Sequence, residues 1–350
     1  MSLVTLPALI DSHVHLREPG GEHKEEIATG TAAALAGGIV AVLDMPNNTP
    51  PIIDEASLAG KEQLFRRKAR CDYGLLLGAG DEAPPREVGR ATALKLYLTP
   101  TFGPLRLQSL GSLLRAFELW PGDRPIAVHA EGLSLAIPIG LARLTGKPVH
   151  ICHLARADEI ALVRAAKARG APVTCEVTPH HLFLTRADAD RLGPFGAMKP
   201  SLGETADVAA LWHYLEVVDL VASDHAPHTE EEKAQPSPPP GVPGVETMLP
   251  LLLNAVHEGR LGLDRVVELL HDGPRRVYGV MAPEASVEVD LAGCQIVRGT
   301  ELHSKCGWTP FEGWRLHGLV RRVRLRGRIV FEDGQVLAQP GYGRPLQRAG

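Results

Sequence analysis

Ala8-Leu9-Ile10-Asp11-Ser12-His13-Val14-His15-Leu16-Arg17 is a short apolar run that closes on polar residues. As a strand, it puts His13 and His15 on one face, because alternate side chains of an extended chain point the same way. The same signature recurs at Gly38 to Met45, Tyr73 to Leu77, Ala93 to Leu98, Ile126 to His129, Val149 to His153, Val173 to Val177 and Leu220 to Ser223. Stretches with helical spacing of Ala and Leu lie between them, the alternation expected of parallel βα units. Eight such units predict an α/β protein, a (β/α)8 TIM barrel over residues 8–285. From Val287 onward the pattern turns strand-like, including Val320 to Leu325 and Arg328 to Phe331, with Asp333-Gly334 as a hairpin turn. This predicts a small C-terminal β appendage over residues 286–350, joined by residues 1–7. Residues 235–244, rich in Pro and Gly, read equally as a rigid linker or as an active-site loop past the eighth strand, and a helical run begins at Val245.

Composition narrows the partners. The chain has 350 residues, 44% hydrophobic and 22% charged, enough to bury a sizeable core. Thirty-seven Lys and Arg against 41 Asp and Glu leave a charge of -4, so no basic excess favours nucleic acid or an anionic membrane, and a small molecule is the expected partner. The apolar stretches fall short of the roughly 20 residues that span a bilayer. No basic-then-apolar leader opens the sequence, and the expected location is the cytoplasm. Five cysteines without a CxxC pair form neither a disulfide framework nor a Cys-rich zinc knuckle.

An isolated His-Val-His reads equally as two metal ligands or as a hydrogen-bonded core pair. The other strand ends change the weighting: His129 closes the fifth run, His153 the sixth and Asp224 follows the eighth, all at the face where barrel enzymes build their sites. Lys95 alternates onto one face of an otherwise apolar strand. Its stem could pack while the amine snorkels to the strand end. Among four histidines and an aspartate, an amine of lowered pKa could instead add carbon dioxide and become a carbamate, whose two oxygens bridge two cations. His180-His181, after Pro179, offers another ligand pair, but is expected to pack at the mouth of the seventh loop.

The ordered set His13-Val14-His15-Leu16-Arg17-Glu18-Pro19-Gly20-Gly21, Gly30 to Ile39, Met45-Pro46-Asn47, Leu94-Lys95-Leu96-Tyr97-Leu98, Val149-His150-Ile151-Cys152-His153, Val173 to Val177, Ser223-Asp224-His225-Ala226-Pro227-His228 and Thr309-Pro310-Phe311-Glu312-Gly313 resembles the dihydroorotase branch of the amidohydrolase superfamily. It is most like the branch found in animal multifunctional pyrimidine-synthesis proteins, and the resemblance runs nearly end to end. It implies two zinc ions per chain, one held by His13, His15 and Asp224 and the other by His129 and His153, with carboxylated Lys95 and a hydroxide as bridges. Asp224 would also carry a proton between the hydroxide and the substrate's amide nitrogen. Cys152 and Glu176 match an additional metal position, with a buried thiol and a supporting carboxylate as the alternative.

Arg17, Asn47 and His228 match substrate-carboxylate contacts, and a guanidinium fork suits a carboxylate. Read without the resemblance, Arg17 could be a surface ion pair and Asn47 a turn residue. Thr101 and Phe102 match a mobile loop that closes over substrate, and Gly244 a further substrate contact. Lys199 stands where the animal branch has arginine, a point charge in place of a fork. The implied activity is the reversible cyclisation of N-carbamoyl-L-aspartate to L-dihydroorotate in pyrimidine synthesis. Hydantoinases and allantoinases share the metals and are the enzyme alternative, while a non-catalytic scaffold is the alternative of another class. A homodimer, and a place in a larger pyrimidine-synthesis polypeptide or assembly, are the expected organisation.

Overall fold

The computed structural model describes residues 3–81, 89–101 and 103–349. After β1 (Leu3–Pro7), eight parallel strands follow in sequence order: β2 (Leu9–Val14), β3 (Ile39–Asp44), β4 (Asp72–Gly78), β5 (Ala93–Tyr97), β6 (Ile126–His129), β7 (Val149–Ile151), β8 (Val173–Val177) and β9 (Leu220–Val221). These are the eight runs expected, and they form the barrel. β7 and β9 are among those that stop short of the residues expected to close them. β7 stops at Ile151, and His153 turns away with φ 37°, while β9 has only two residues and Asp224 leaves it with φ 46°. Both residues therefore sit on the rim rather than in the ladder.

The first and last strands meet through a parallel bridge between Val14 and His225, with the His15 N–H donating to the His225 carbonyl at 2.8 Å. Where β9 is too short to pair, Asp11 substitutes. Its Oδ1 accepts the Ser223 N–H at 3.0 Å and the His13 N–H at 3.2 Å. Burial raises the Asp11 pKa to about 6.

Outside the strands lie α1 (Ile27–Ala36), α2 (Glu55–Lys68), α3 (Leu110–Leu119), α4 (Ala136–Thr145), α5 (Ala157–Ala168), the shorter α6 (Pro179–Phe183), α7 (Arg186–Leu192) and α8 (Thr205–His213), then α9 (Glu230–Lys233) and α10 (Val245–His257). Asp54 caps α2 by accepting the Ser57 N–H at 2.8 Å. No helix among the described residues is long and apolar enough to cross a membrane.

A second, antiparallel sheet runs in the order β1, β10 (Ala285–Ile296), β11 (Arg315–Leu325), β12 (Arg328–Glu332), β13 (Gln335–Val336), with Leu3 opposite Asp290 and Pro7 opposite Ser286. Asp333 and Gly334 turn with φ 41° and 85°, as the hairpin reading expects. The sheet lies on α10, whose residues Val245, Thr247 to Ala255 are buried because the barrel covers one side and the sheet the other. Gly318, at φ 94°, lets β11 approach. A Cβ there would stand 2.5 Å from Leu253 Cβ.

Candidate active site

Five strand ends deliver the polar groups. Alternation along β2 aims His13 and His15 into the barrel mouth, β5 supplies Lys95, β6 supplies His129, and the turns after β7 and β9 supply His153 and Asp224. Asp224 Oδ1 lies 3.1 Å from His15 Nε2 and 3.3 Å from His13 Nε2. His129 Nδ1 faces His153 Nε2 at 2.8 Å. Lys95, fully buried, reaches His13 Nε2 at 3.4 Å and Cys152 Sγ at 3.0 Å, and no carboxylate of the described residues pairs with it. Of the five non-glycine residues with positive φ among the described residues, three are Arg17, His153 and Asp224 (φ 61°, 37° and 46°). Such backbone costs of order 1–3 kcal/mol each and persists where the surroundings enforce it.

Behind these groups stands a second layer that sets their protons. Glu176 Oε1 lies 2.5 Å from His13 Nδ1, and its other oxygen lies 3.0 Å from His150 Nε2. Asn47 Oδ1 lies 2.6 Å from His15 Nδ1. Both contacts are met by an N–H at Nδ1, so both Nε2 atoms face inward, where a deprotonated nitrogen would present its lone pair to a metal. Burial tends to raise Glu176 and Asp224. The imidazoles facing them, His13 foremost, outweigh it and hold both carboxyls well below the carboxylate range. Burial pulls His15 down to about 3 and His153 well below its ordinary value. For His13, burial and Lys95 oppose the charge, yet Asp224 and Glu176 raise its pKa to about 10.

The donor set fits divalent cations. Imidazole lone pairs and a carboxylate oxygen converge on one space, the Nδ1 of buried His153 has no partner, and a buried amine lacks a counter-ion. His13, His153 and Asp224 form one group whose ligand atoms lie within 4.8 Å of one another, and His13, Cys152 and Glu176 form another.

These groups open into a pocket that Arg17, Asn47, Thr101, His180, Lys199 and Gly241 also line. Arg17 is buried, its pKa lowered by burial to about 10, and it donates to the Pro227 carbonyl at 3.1 Å. His228 does not line the pocket. It stands behind Arg17, its Nε2 3.1 Å from the guanidinium and its Nδ1 3.3 Å from Lys24 Nζ, so it braces the arginine. Gly244 is likewise off the wall, because it begins α10 and its N–H donates to His225 Nδ1 at 3.1 Å. Gly241 takes the wall position. Phe102 lies outside the described residues.

The two adjacent histidines part ways. His181 lies 2.7 Å from the Thr178 hydroxyl and 3.0 Å from the Pro200 carbonyl oxygen, whereas buried His180 lines the pocket and its Nε2 has no partner. Sequence reading also passes over Glu25, whose Oε2 lies 3.3 Å from His225 Nε2. Its 200-residue separation from His225 leaves no local signal.

Comparison with known proteins agrees with this geometry. A family model described as Dihydro-orotase-like matches residues 2–72. The multifunctional protein CAD of Squalus acanthias is 49% identical over 99% of this chain, which spans 16% of that protein's length. A dihydroorotase of Pyrococcus furiosus is 37% identical over 99% of this chain and 86% of its own length. Among solved structures, L-hydantoinase from Arthrobacter aurescens superposes with a TM-score of 0.90 at 23% identity, covering 98% of this chain and 89% of that one, a likeness of fold. The inactive dihydroorotase-like domain of a Chaetomium thermophilum CAD-like protein gives 0.85 at 26% identity, covering 99% of each chain. With a dihydroorotase matched at 37% identity over so much of both lengths, the chain belongs to the dihydroorotase family.

Proposed function

We propose that the chain is a dihydroorotase that interconverts N-carbamoyl-L-aspartate and L-dihydroorotate in pyrimidine synthesis. The observation that carries this reading is a buried, braced Arg17 lining the same pocket as His13, His15, Lys95, His129, His153 and Asp224. One zinc ion would be held by His13, His15 and Asp224, a second by His129 and His153, and a carbamate formed on Lys95 would add anionic oxygen ligands to the site. When bound, the two ions supply Lewis acidity at the scissile carbonyl and the attacking oxygen. A third ion, if taken up, is assigned to His13, Cys152 and Glu176 in place of the hydrogen bond between His13 and Glu176. Asp224, held ionised, accepts a proton and returns it at the amide nitrogen. Arg17 forks onto the substrate carboxylate, Asn47 and Lys199 stand on the same wall, and Thr101 belongs to the loop at the mouth. His228 acts through Arg17. Residues 8–285 are proposed as the catalytic unit, with residues 1–7 and 286–350 as the appendage, and the cytoplasm as the location. The relatives support two organisations, a single-function enzyme and one segment of a multifunctional chain.

The ring carboxylate separates dihydroorotate from other cyclic amides. A desolvated arginine left without its anion penalises analogues that lack the group. Side-by-side assays should give turnover of L-dihydroorotate and carbamoyl-aspartate, and little of dihydrouracil or allantoin. Comparable rates on dihydrouracil would move the enzyme to the hydantoinase branch. Loss of all four activities with two ions bound would favour the scaffold reading, which the inactive Chaetomium thermophilum domain keeps in view.

A further inference from the structure

Four lysines are buried among the described residues: Lys24, Lys61, Lys95 and Lys233. Lys24 pairs with Glu232 at 3.0 Å, Lys61 pairs with Asp44 at 2.7 Å, and Lys95 stands in the pocket. Lys233, the last residue of α9, pairs with no carboxylate of the described residues. Its ammonium has three protons and three carbonyls in reach, those of Ala197 at 2.8 Å, Pro239 at 3.1 Å and Gly241 at 3.1 Å. The ring of Trp308 lies 5.5 Å from the same nitrogen. Burial and the neighbouring charge of Arg17 lower the Lys233 pKa to about 8, which leaves it charged at neutral pH. A buried charge of this kind persists where dipoles replace its lost water, and here the carbonyls do so.

The sequence of the loop explains why a donor is needed there. Residues 235–244 contain five prolines, and Gln235 and Ser237 are their only polar side chains. Proline keeps its carbonyl but has no N–H, so the loop is rich in acceptors and poor in donors. Its Gly241 N–H donates to the Ala197 carbonyl at 3.0 Å, and the Ala226 N–H donates to the Val242 carbonyl at 2.9 Å. Gly241, at φ 137°, is pressed against Ala226, where a Cβ would stand 2.4 Å from the carbonyl oxygen. Two stretches of chain thus meet at Lys233, and both form pocket wall. Met198 and Lys199 belong to one, Pro240, Gly241 and Val242 to the other. Lys233 itself stands behind this wall and does not line the pocket.

We propose that Lys233 is a positioning residue for substrate binding: its ammonium ties the Lys199 turn to the Gly241 loop and so fixes the wall that faces the substrate. The identity of the substrate rests on the dihydroorotase reading, whereas the tie does not. Lys233→Met keeps a stem of similar length and removes all three donors. In the unliganded variant, hydrogen exchange of residues 197–203 and 235–244 should quicken by about tenfold or more, while the barrel strands exchange as in the parent. With L-dihydroorotate, KM should rise by about tenfold or more, with kcat within about threefold of the parent and the same metal content. That split is expected when an interaction serving ground and transition states alike is lost. Lys233→Gln, whose amide keeps two donors, should fall between the parent and Lys233→Met. A residue that only supports the fold would instead lower the active fraction, seen as reduced kcat at the parental KM. That result, a parental KM in Lys233→Met, exchange that quickens equally throughout the barrel, or failure of both variants to fold would each overturn the tie. A parent that does not turn over dihydroorotate would overturn the reaction instead, and the exchange comparison would still decide the tie.

Discussion

The two halves of the pocket are built differently. On the His13, His15 and Asp224 side every group is gripped from behind. Glu176 holds His13, Asn47 holds His15, and Asp224 adjoins His225, whose ring is fixed between the start of α10 and Glu25. On the His129 and His153 side the two inward nitrogens face each other, His153 Nδ1 has no partner, and His129 Nε2 meets only half-buried Glu131 at 3.3 Å. The first half is preorganised by the fold, whereas the second, beyond the His153 N–H that donates to Glu176 at 3.2 Å, would be held by the ion proposed there.

The harshest test of that contrast is Lys95→Ala, which removes the one group proposed to join the halves. Turnover should fall by about a thousandfold or more, with metal content below two ions per chain. Normal metal content and rate would break the two-half description at its root. Asp224→Asn follows. An amide fills the same space within reach of His13 and His15 but carries no proton, so turnover should be lost while circular dichroism is unchanged. Metal analysis of the same sample separates a lost ligand from a lost proton carrier. Sharper still is the pair Glu176→Gln and Glu131→Gln. The first should weaken metal binding roughly 10–100-fold, the scale for supporting partners, and the second by no more than a few-fold. Equal losses would mean that the halves are equally braced.

The smallest expected effect lies outside the pocket, where His303 Nδ1 meets Glu246 Oε1 at 2.9 Å. The Glu246 hydrogen bond raises the His303 pKa above 6.5, and burial opposes it. A histidine with a raised folded pKa stabilises fully below its unfolded value and loses that contribution as pH rises through the folded one. Thermal unfolding of His303→Gln should therefore differ from the parent at pH 6 and converge with it at higher pH. The difference should be within about 1 kcal/mol.

The strands were legible because each is a short apolar run, and His13, His15, Lys95 and His129 lie within or beside theirs; His153 and Asp224 reach the same pocket from turns past β7 and β9, which alternation does not describe. What resisted reading follows no period. The Pro- and Gly-rich loop brings Gly241 rather than Gly244 to the wall, and folds His228 behind Arg17. His180 and His181 are neighbours in sequence, yet the short α6 sends one into the pocket and the other to Pro200. Asn47 lines the wall and grips His15 at once, two tasks that a residue type cannot announce.

The barrel's closure reaches beyond architecture. β9 contributes two ladder residues, and a side chain, Asp11, stands in for the missing carbonyl at Ser223. The staves therefore meet at a thin joint, and the joint runs directly beneath the pocket, with His13 and His15 on one side and Asp224 on the other. The ion proposed for all three would be a rivet across that joint. Chelation should then do more than stop turnover. The Ser223 and His15 amides should trade their hydrogens for deuterium sooner than those of the long central strands, and the hoop should spring open at its weakest stave.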